Sequence, residues 1–371
     1  MWRNARRYLL LLFGLVLVVF LLYRSRNSVS LKMFRWHMVV EAVSGANIWL
    51  LILALASIYV CYAIRALRWM QFSRTLGKTH FWNVYSAQLM GFASLFVLGR
   101  AGEPVRPVLV ARKDSLSMPR MFGVYFLERV FDIAATVVLA GFALLSFERR
   151  GLLADEDAVF MSHARSAGLG LLVILAILVA FLIYFKYHGA GWLARKLEHE
   201  NWRHGWRARV AALLEGFSEG LQGIRTWGDL AALVAYTTAH WMLVALSYLW
   251  ICHAFGGDLG DIGYAGAVLV LAFTMVGSAI QLPGVGGGAQ VATFLVFTQI
   301  FAVEQEPAAA AAIMCWLITF SGACLVGLPL LFREGWSMGE LRKLAKSEEL
   351  AGEAEMLSEA EHASDLKKGA S

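Results

Sequence analysis

Two arginines and a glutamate, Arg100, Glu103 and Arg106, follow an apolar run from His80 to Leu98, interleaved with Gly99, Gly102, Pro104 and Pro107. Arginine presents a planar fork of donors that suits a phosphate or a carboxylate, and a neighbouring glutamate can hold that fork in place or accept from an amine. The i, i+3, i+6 spacing would put the three on one helix face, whereas the prolines favour a turn. A second group, Glu128, Arg129 and Asp132, sits inside the apolar run 122–147. Ionisable side chains at that depth are expensive and normally face protein or a water-filled cavity. Glu128 and Asp132 are four residues apart and face one way, and Arg129 can pair with Asp132. They read either as counter-charges for Arg100 and Arg106 or as an ion pair that locks helices together. The third group is the break from Gln281 to Gln290, with Pro283, Gly284, Gly286, Gly287 and Gly288. Its backbone amides could form an anion-binding nest at the start of the next helix, or its glycines could serve close helix packing. It lacks the Lys-Ser/Thr ending of a nucleotide-binding P-loop.

The elements that must position these groups are membrane helices. The 371 residues are 59% hydrophobic and 16% charged, with a mean hydropathy of +0.60. A soluble domain is nearer one quarter charged. Apolar runs lie at about 8–23, 48–64, 80–98, 122–147, 167–187, 229–255, 262–282, 287–303 and 308–332. Runs of this length and uniformity exclude a barrel's alternating strands. The fold class is therefore all-α: a polytopic helical membrane bundle of about seven or eight spans with one or two re-entrant segments. A transmembrane domain over 1–335 is followed by a charged cytoplasmic tail over 336–371. The first run ends in Arg24-Ser25-Arg26 with no small-residue cleavage site, so it reads as a retained span.

Lys and Arg cluster at the N-terminus, in 65–79, in 99–121, in 188–228 and in the tail, which places these and both termini on the cytoplasmic side. The set is self-consistent only if run 80–98 does not cross and instead re-enters. The second break, between runs 262–282 and 287–303, permits two full spans or an opposed re-entrant hairpin. Interrupted helices in both halves point toward an inverted-repeat transporter. Segment 31–43 reads as an amphipathic surface piece. The net charge of +6 sits in loops, where it sets orientation and meets anionic lipid; it is no nucleic-acid signature.

Other candidates read more simply as structure. Arg65, Arg68 and Trp69 look like an interface anchor at the end of a span. His240 reads as a helix-packing residue, and Gln281, Gln290 and Gln299 as a polar path or as interhelical bonds. Cys61, Cys252, Cys315 and Cys324 lie in apolar segments without metal-ligand spacing. Hydrolase and zinc motifs are missing, and no metal or cofactor is expected.

Ala66-Leu67-Arg68-Trp69, Gly99 through Arg106, Glu128-Arg129-Val130-Phe131-Asp132 and Pro283-Gly284-Val285-Gly286-Gly287, taken in order, resemble the lysylphosphatidylglycerol synthase transmembrane-region family, also called flippase-like. The resemblance runs from about residue 5 to residue 335. It implies an integral bacterial inner-membrane bundle that moves a lipid between leaflets. It also implies roles for Arg100, Glu103, Arg106, Glu128, Arg129, Pro283 and Gly284. The chain leaves no room for the soluble aminoacyl-transferase domain of bifunctional members, so synthase activity is not expected.

These observations lead to three expectations. The first is a lipid flippase or transporter-like protein, not an enzyme, that handles a phospholipid or polyprenyl-linked lipid through its anionic headgroup. The second is an intramembrane lipid-modifying enzyme with Glu128 or Asp132 as base. The third is a non-catalytic partner of an envelope-lipid synthase, docked through 188–228.

Overall fold

The computed structural model describes residues 35–149, scattered helical positions between 170 and 188, and residues 205–278, 281–282 and 286–335. The expected first span and the charged tail fall outside the described residues. So do Pro283 and Gly284, and nothing is described of the Arg100 side chain. The described chain is an all-α bundle with one two-residue antiparallel ribbon.

A short helix α1 (Trp36–Gly45) leads into α2 (Ile48–Ser73), whose first turn is capped by the Asn47 side chain accepting from the Trp49 N–H at 3.0 Å. Next come α3 (Phe81–Leu98), a 3-10 turn (Gly99–Gly102), α4 (Val105–Lys113) and the long α5 (Met118–Arg149). The region read from sequence as a long basic loop, 188–228, contains helix α6 (Gly205–Gln222). Charge counting missed it because only one face is polar: Phe217 and Leu221 are buried, and Gly216 lies against the Arg120 backbone. Helix α7 (Trp227–Phe255) starts at a Thr226–Asp229 capping box, and Asp229 also takes two bonds from Arg74, at 2.6 and 2.7 Å. Then follow α8 (Tyr264–Gly277), the ribbon of Gln281–Leu282 with Gly286–Gly287, α9 (Gly288–Gln299) and α10 (Gln305–Trp316). A π turn (Leu317–Ser321) joins α10 to α11 (Cys324–Arg333).

Among the described residues, four helices are long and apolar enough to cross a membrane: Ile48–Ser73, Phe81–Leu98, Trp227–Phe255 and the continuous Gln305–Arg333. Helix α2 packs most extensively on α7, α5 on α6, and α11 on α3. Two apolar cores result. One gathers Ile58, Trp241, Tyr248, Val268 and Phe297, and the other gathers Trp69, Met90, Leu109, Leu127 and Leu233. Helix α2 runs through both, with Arg65 between Tyr62 of the first and Ala66 of the second.

The two breaks in the sequence are the tips of two helical hairpins. Run 80–98 is one uninterrupted helix, and the break lies after it. Gly99 takes φ +64°, a conformation that favours glycine, and Gly102 lies so close to Ser94 that a Cβ would meet its carbonyl oxygen at 2.3 Å. Pro104 and Pro107 sit at the start of α4, where no helical N–H is required. The returning α4 brings Asp114 back to the beginning of α3. There it accepts from the His80 N–H at 3.3 Å and from Asn83 Nδ2 at 2.7 Å. The hairpin therefore starts and ends at one place, although α3 alone is long enough to span. In the second hairpin α8 and α9 have 14 and 12 residues. At 1.5 Å per residue they are about 21 and 18 Å long, short of a hydrocarbon core of about 30 Å. This favours the re-entrant reading over two full spans. The strand Gln281–Leu282 packs on the turn Gly99–Gly102, so the hairpin tips meet.

Candidate functional site

The site grows from α5. Glu128 and Asp132, one turn apart, point at α2, where Arg65 and Arg68 are three residues apart and face them. Arg65 Nε donates to Glu128 Oε1 at 2.6 Å and its Nη2 to Asp132 Oδ2 at 2.5 Å. Arg68 Nη2 bridges Glu128 Oε1 at 3.0 Å and Asp132 Oδ1 at 2.7 Å, while its Nη1 donates to Thr237 Oγ1 of α7 at 3.1 Å. These are charge-assisted bonds between buried groups, the strong kind. This corrects the reading of Arg65 and Arg68 as interface anchors. They lie inside a helix that continues to Ser73, and their side chains are 8% and 1% exposed. The apolar run stops at Ile64 in the sequence only because its next turn carries buried charge.

Arg106 comes in on α4. Its Nη1 donates to Glu128 Oε2 at 3.1 Å and to Gln88 Oε1 of α3 at 3.2 Å. Its guanidinium lies over three rings, 4.8 Å from the centroid of Phe92, 5.2 Å from Tyr125 and 5.7 Å from Trp69. The stem of Arg106 lies on Gly91, where a Cβ would come within 2.0 Å of Cγ. Arg129 completes the ring with Nη2 3.3 Å from Glu128 and 3.4 Å from Asp132. It is the least buried of the four arginines, at 34% exposed.

Four arginines thus surround two carboxylates. Glu103, in the turn before α4, is a third acid nearby and accepts from the Tyr125 hydroxyl. Even with it, positive charge is in excess. Every Glu128 oxygen already accepts two N–H bonds. Several donors, by contrast, have no protein acceptor although they are buried: Arg68 Nε, Trp69 Nε1, Gln88 Nε2, Arg129 Nε and Trp241 Nε1. His240 Nδ1 is also unpaired, and its ring packs edge-on to Trp241 at 5.2 Å. Buried polar atoms are ordinarily paired, so a cluster of idle donors around excess cations has the composition of an anion site.

The structure brings together Glu128, Arg129, Asp132 and Arg106 as anticipated, with Glu103 at the edge. It separates Arg100 from Arg106: the first is in the 3-10 turn and the second is on α4 beyond Pro104, so the three residues share no helix face. The expected nest at Gly286–Gly288 is occupied by other contacts. Gly286 and Gly287 pair with Leu282 and Gln281, and the Gly287 N–H donates to Gln290. Gly288 receives the close approach of Gly277, where a Cβ would lie 2.3 Å from the Gly288 oxygen. This glycine run serves chain turning and close packing, and its backbone is less open to an anion than its composition implies. Sequence reasoning missed Arg65 and Arg68 as partners, together with Gln88 and Thr237. The available signal was the match of two spacings, i, i+3 cations on one span and i, i+4 acids on another. The four cysteines are free, and no His/Cys/Asp/Glu group that could hold a metal occurs among the described residues.

A model of the lysylphosphatidylglycerol synthase TM region matches residues 9–327. The chain belongs to that family and is an integral membrane protein. No curated protein matches it significantly.

Proposed function

We propose that this chain is a lipid transporter of the flippase type that holds an anionic headgroup at the arginine cluster while the acyl chains stay in lipid. The observation that carries the reading is the charge imbalance: four buried or half-buried arginines face three acids, Glu128, Asp132 and the peripheral Glu103, and further donors lack acceptors. An uncompensated charge at bilayer depth costs several kcal/mol. A phosphate or phosphodiester would supply the missing counter-charge and accept from the idle donors. Two helical hairpins that meet at their tips are the kind of element from which transporters build a mid-membrane site. Family membership supports a role in lipid metabolism or transport. We place the protein in the bacterial cytoplasmic membrane with both ends cytoplasmic, as the Lys/Arg distribution favours.

The arrangement speaks for transport over chemistry. With both Glu128 oxygens doubly bonded and Asp132 held by three arginines, a general base would have to break buried ion pairs before accepting a proton.

The test is headgroup translocation in vesicles reconstituted with the purified chain and a fluorescent phosphatidylglycerol. Arg129→Gln is the informative variant, because Glu128 keeps three other arginine partners and the fold is spared. Translocation should fall at least about tenfold, the equivalent of one lost charged hydrogen bond to the headgroup. A rate equal to the parent's would overturn the assignment.

A further inference from the structure

A cavity of about 770 Å³ opens beside the cluster without being part of it. Its walls come from α5, from the helical residues Leu182, Lys186 and Tyr187, from the end of α6 and the link after it, and from α7. They are almost wholly apolar along their length, for example Phe131, Val138, Leu230, Val234 and Met242. The groove has a polar end. Lys186, Arg225, Thr226 and Trp227 line it there, and Trp227 is 86% exposed, as befits a residue at a membrane–water boundary. From Trp227 to Met242 the α7 wall rises 15 residues, about 22 Å at helical pitch. That exceeds the depth of one leaflet, about half of a 30 Å hydrocarbon core. The volume lies within the usual 300–1,000 Å³ range of small-molecule sites.

Two features give the groove an occupant. The polar end is cationic: Lys186 Nζ spends one donor on the Ile224 carbonyl, at 3.0 Å, and Arg225 is exposed beside it. Asp229, an acid at the start of α7, is engaged by Arg74 and by the helix cap. The wall also carries Trp241, 5% exposed with its indole N–H unpaired, and Thr237, which accepts from Arg68. We infer that this groove is a lateral binding site for an anionic glycerophospholipid, with one acyl chain between α5 and α7 and the phosphate against Lys186 and Arg225. The length matches a chain anchored at the boundary, and the paired cations select a net-negative headgroup. Through Thr237 the seated lipid lies one hydrogen bond from the arginine cluster. Binding here stands on its own observations and does not require that the chain translocate anything.

The experiment is native mass spectrometry of the delipidated full chain titrated with phosphatidylglycerol or phosphatidylcholine. The parent should hold phosphatidylglycerol at least tenfold more tightly. Val234→Trp, which fills the groove from a half-exposed position, should remove that binding. Val276→Trp, the same change at an exposed position outside the groove, should not. The pair Lys186→Gln and Arg225→Gln should keep binding but erase the headgroup preference. Unaltered phosphatidylglycerol binding by a folded Val234→Trp protein, equal loss in Val276→Trp, or no preference in the parent would each overturn the site. Arg129→Gln is carried through the same titration. Retained groove binding beside unchanged translocation in that variant would sink the transport reading alone, and the reverse outcome would sink only the groove.

Discussion

Replacing Glu128 by glutamine tests whether the cluster is a linked ion network or a set of independent contacts. The carboxylate is fully buried and accepts from Arg65 at 2.6 Å, Arg68 at 3.0 Å, Arg106 at 3.1 Å and Arg129 at 3.3 Å. Glutamine keeps the volume and one acceptor oxygen. In its better orientation that oxygen still serves Arg65 and Arg68, but the amide N–H₂ then faces the donors of Arg106 and Arg129. Two charge-assisted bonds are lost, at about 1.5–3 kcal/mol each. Independently, breaking a buried ion pair on one side costs about 3–5 kcal/mol. Both routes give a loss near 4 kcal/mol. With the soluble-domain scaling of about 2–4 °C per kcal/mol for larger chains, Tm should fall by about 8–16 °C. Intrinsic tryptophan fluorescence during a thermal ramp, at fixed detergent concentration, reads this directly. Glu215→Gln is the control, because its bond to Arg120 is 3.4 Å long and both side chains are more than a third exposed. An exposed pair of that kind contributes about 1 kcal/mol or less. If Glu128→Gln and Glu215→Gln melt together, the arginines are held by something other than Glu128, and the charge count behind the anion site is wrong.

The first hairpin makes a topological prediction: Lys78→Cys and Ser117→Cys, which flank it, should react with a membrane-impermeant maleimide from the same side of sealed vesicles. Opposite-side labelling would mean that the α3–α4 segment crosses. Gly91→Val places a side chain where the Arg106 stem lies, with a Cβ 2.0 Å from Cγ. It should detach Arg106 from Glu128 and lower both Tm and headgroup translocation, and normal translocation would show that Arg106 is dispensable there.

Much of this was legible from residue order. Long apolar runs foretold the long helices among the described residues, and the glycines and prolines after Leu98 and the glycines before α9 foretold two turns, because glycine admits a turn and proline does not continue a helix. The identity of the cation partners was not legible in the same way. Arg65 and Arg68 follow an apolar stretch and precede a tryptophan, the pattern of a boundary anchor. What distinguishes them is the position of Glu128 and Asp132 on another helix, a tertiary fact. The glycine run at 286–288 admits two uses for a related reason. Glycine exposes backbone amides, but it also admits a neighbouring backbone, and here Gly277 and Gln290 use what glycine leaves open. Helix α6 escaped notice because hydropathy averaged over a polar face and an apolar face looks like a loop.

The arginine excess has no account in folding alone. Well-packed apolar residues of similar volume generally serve a buried core as well as an ion network or better, and in a membrane each added charge raises the cost. Two arginines would balance Glu128 and Asp132. Arg106, brought in on a proline-led helix over three aromatic rings, and Arg129, left a third exposed, are two further cations against one further acid, Glu103, a net excess of one. Unmet hydrogen bonding accompanies both: Arg129 keeps an unpaired Nε, and Gln88 turns its oxygen to Arg106 with its amide nitrogen unfilled. A bound anion would resolve charge and hydrogen bonding together. The stability of the purified chain should therefore rise with the concentration of an anionic lipid, by RT ln(1 + [L]/Kd), and this rise should be steeper in the parent than in Arg129→Gln. An identical rise in the two proteins would show that the surplus arginines do not see the ligand.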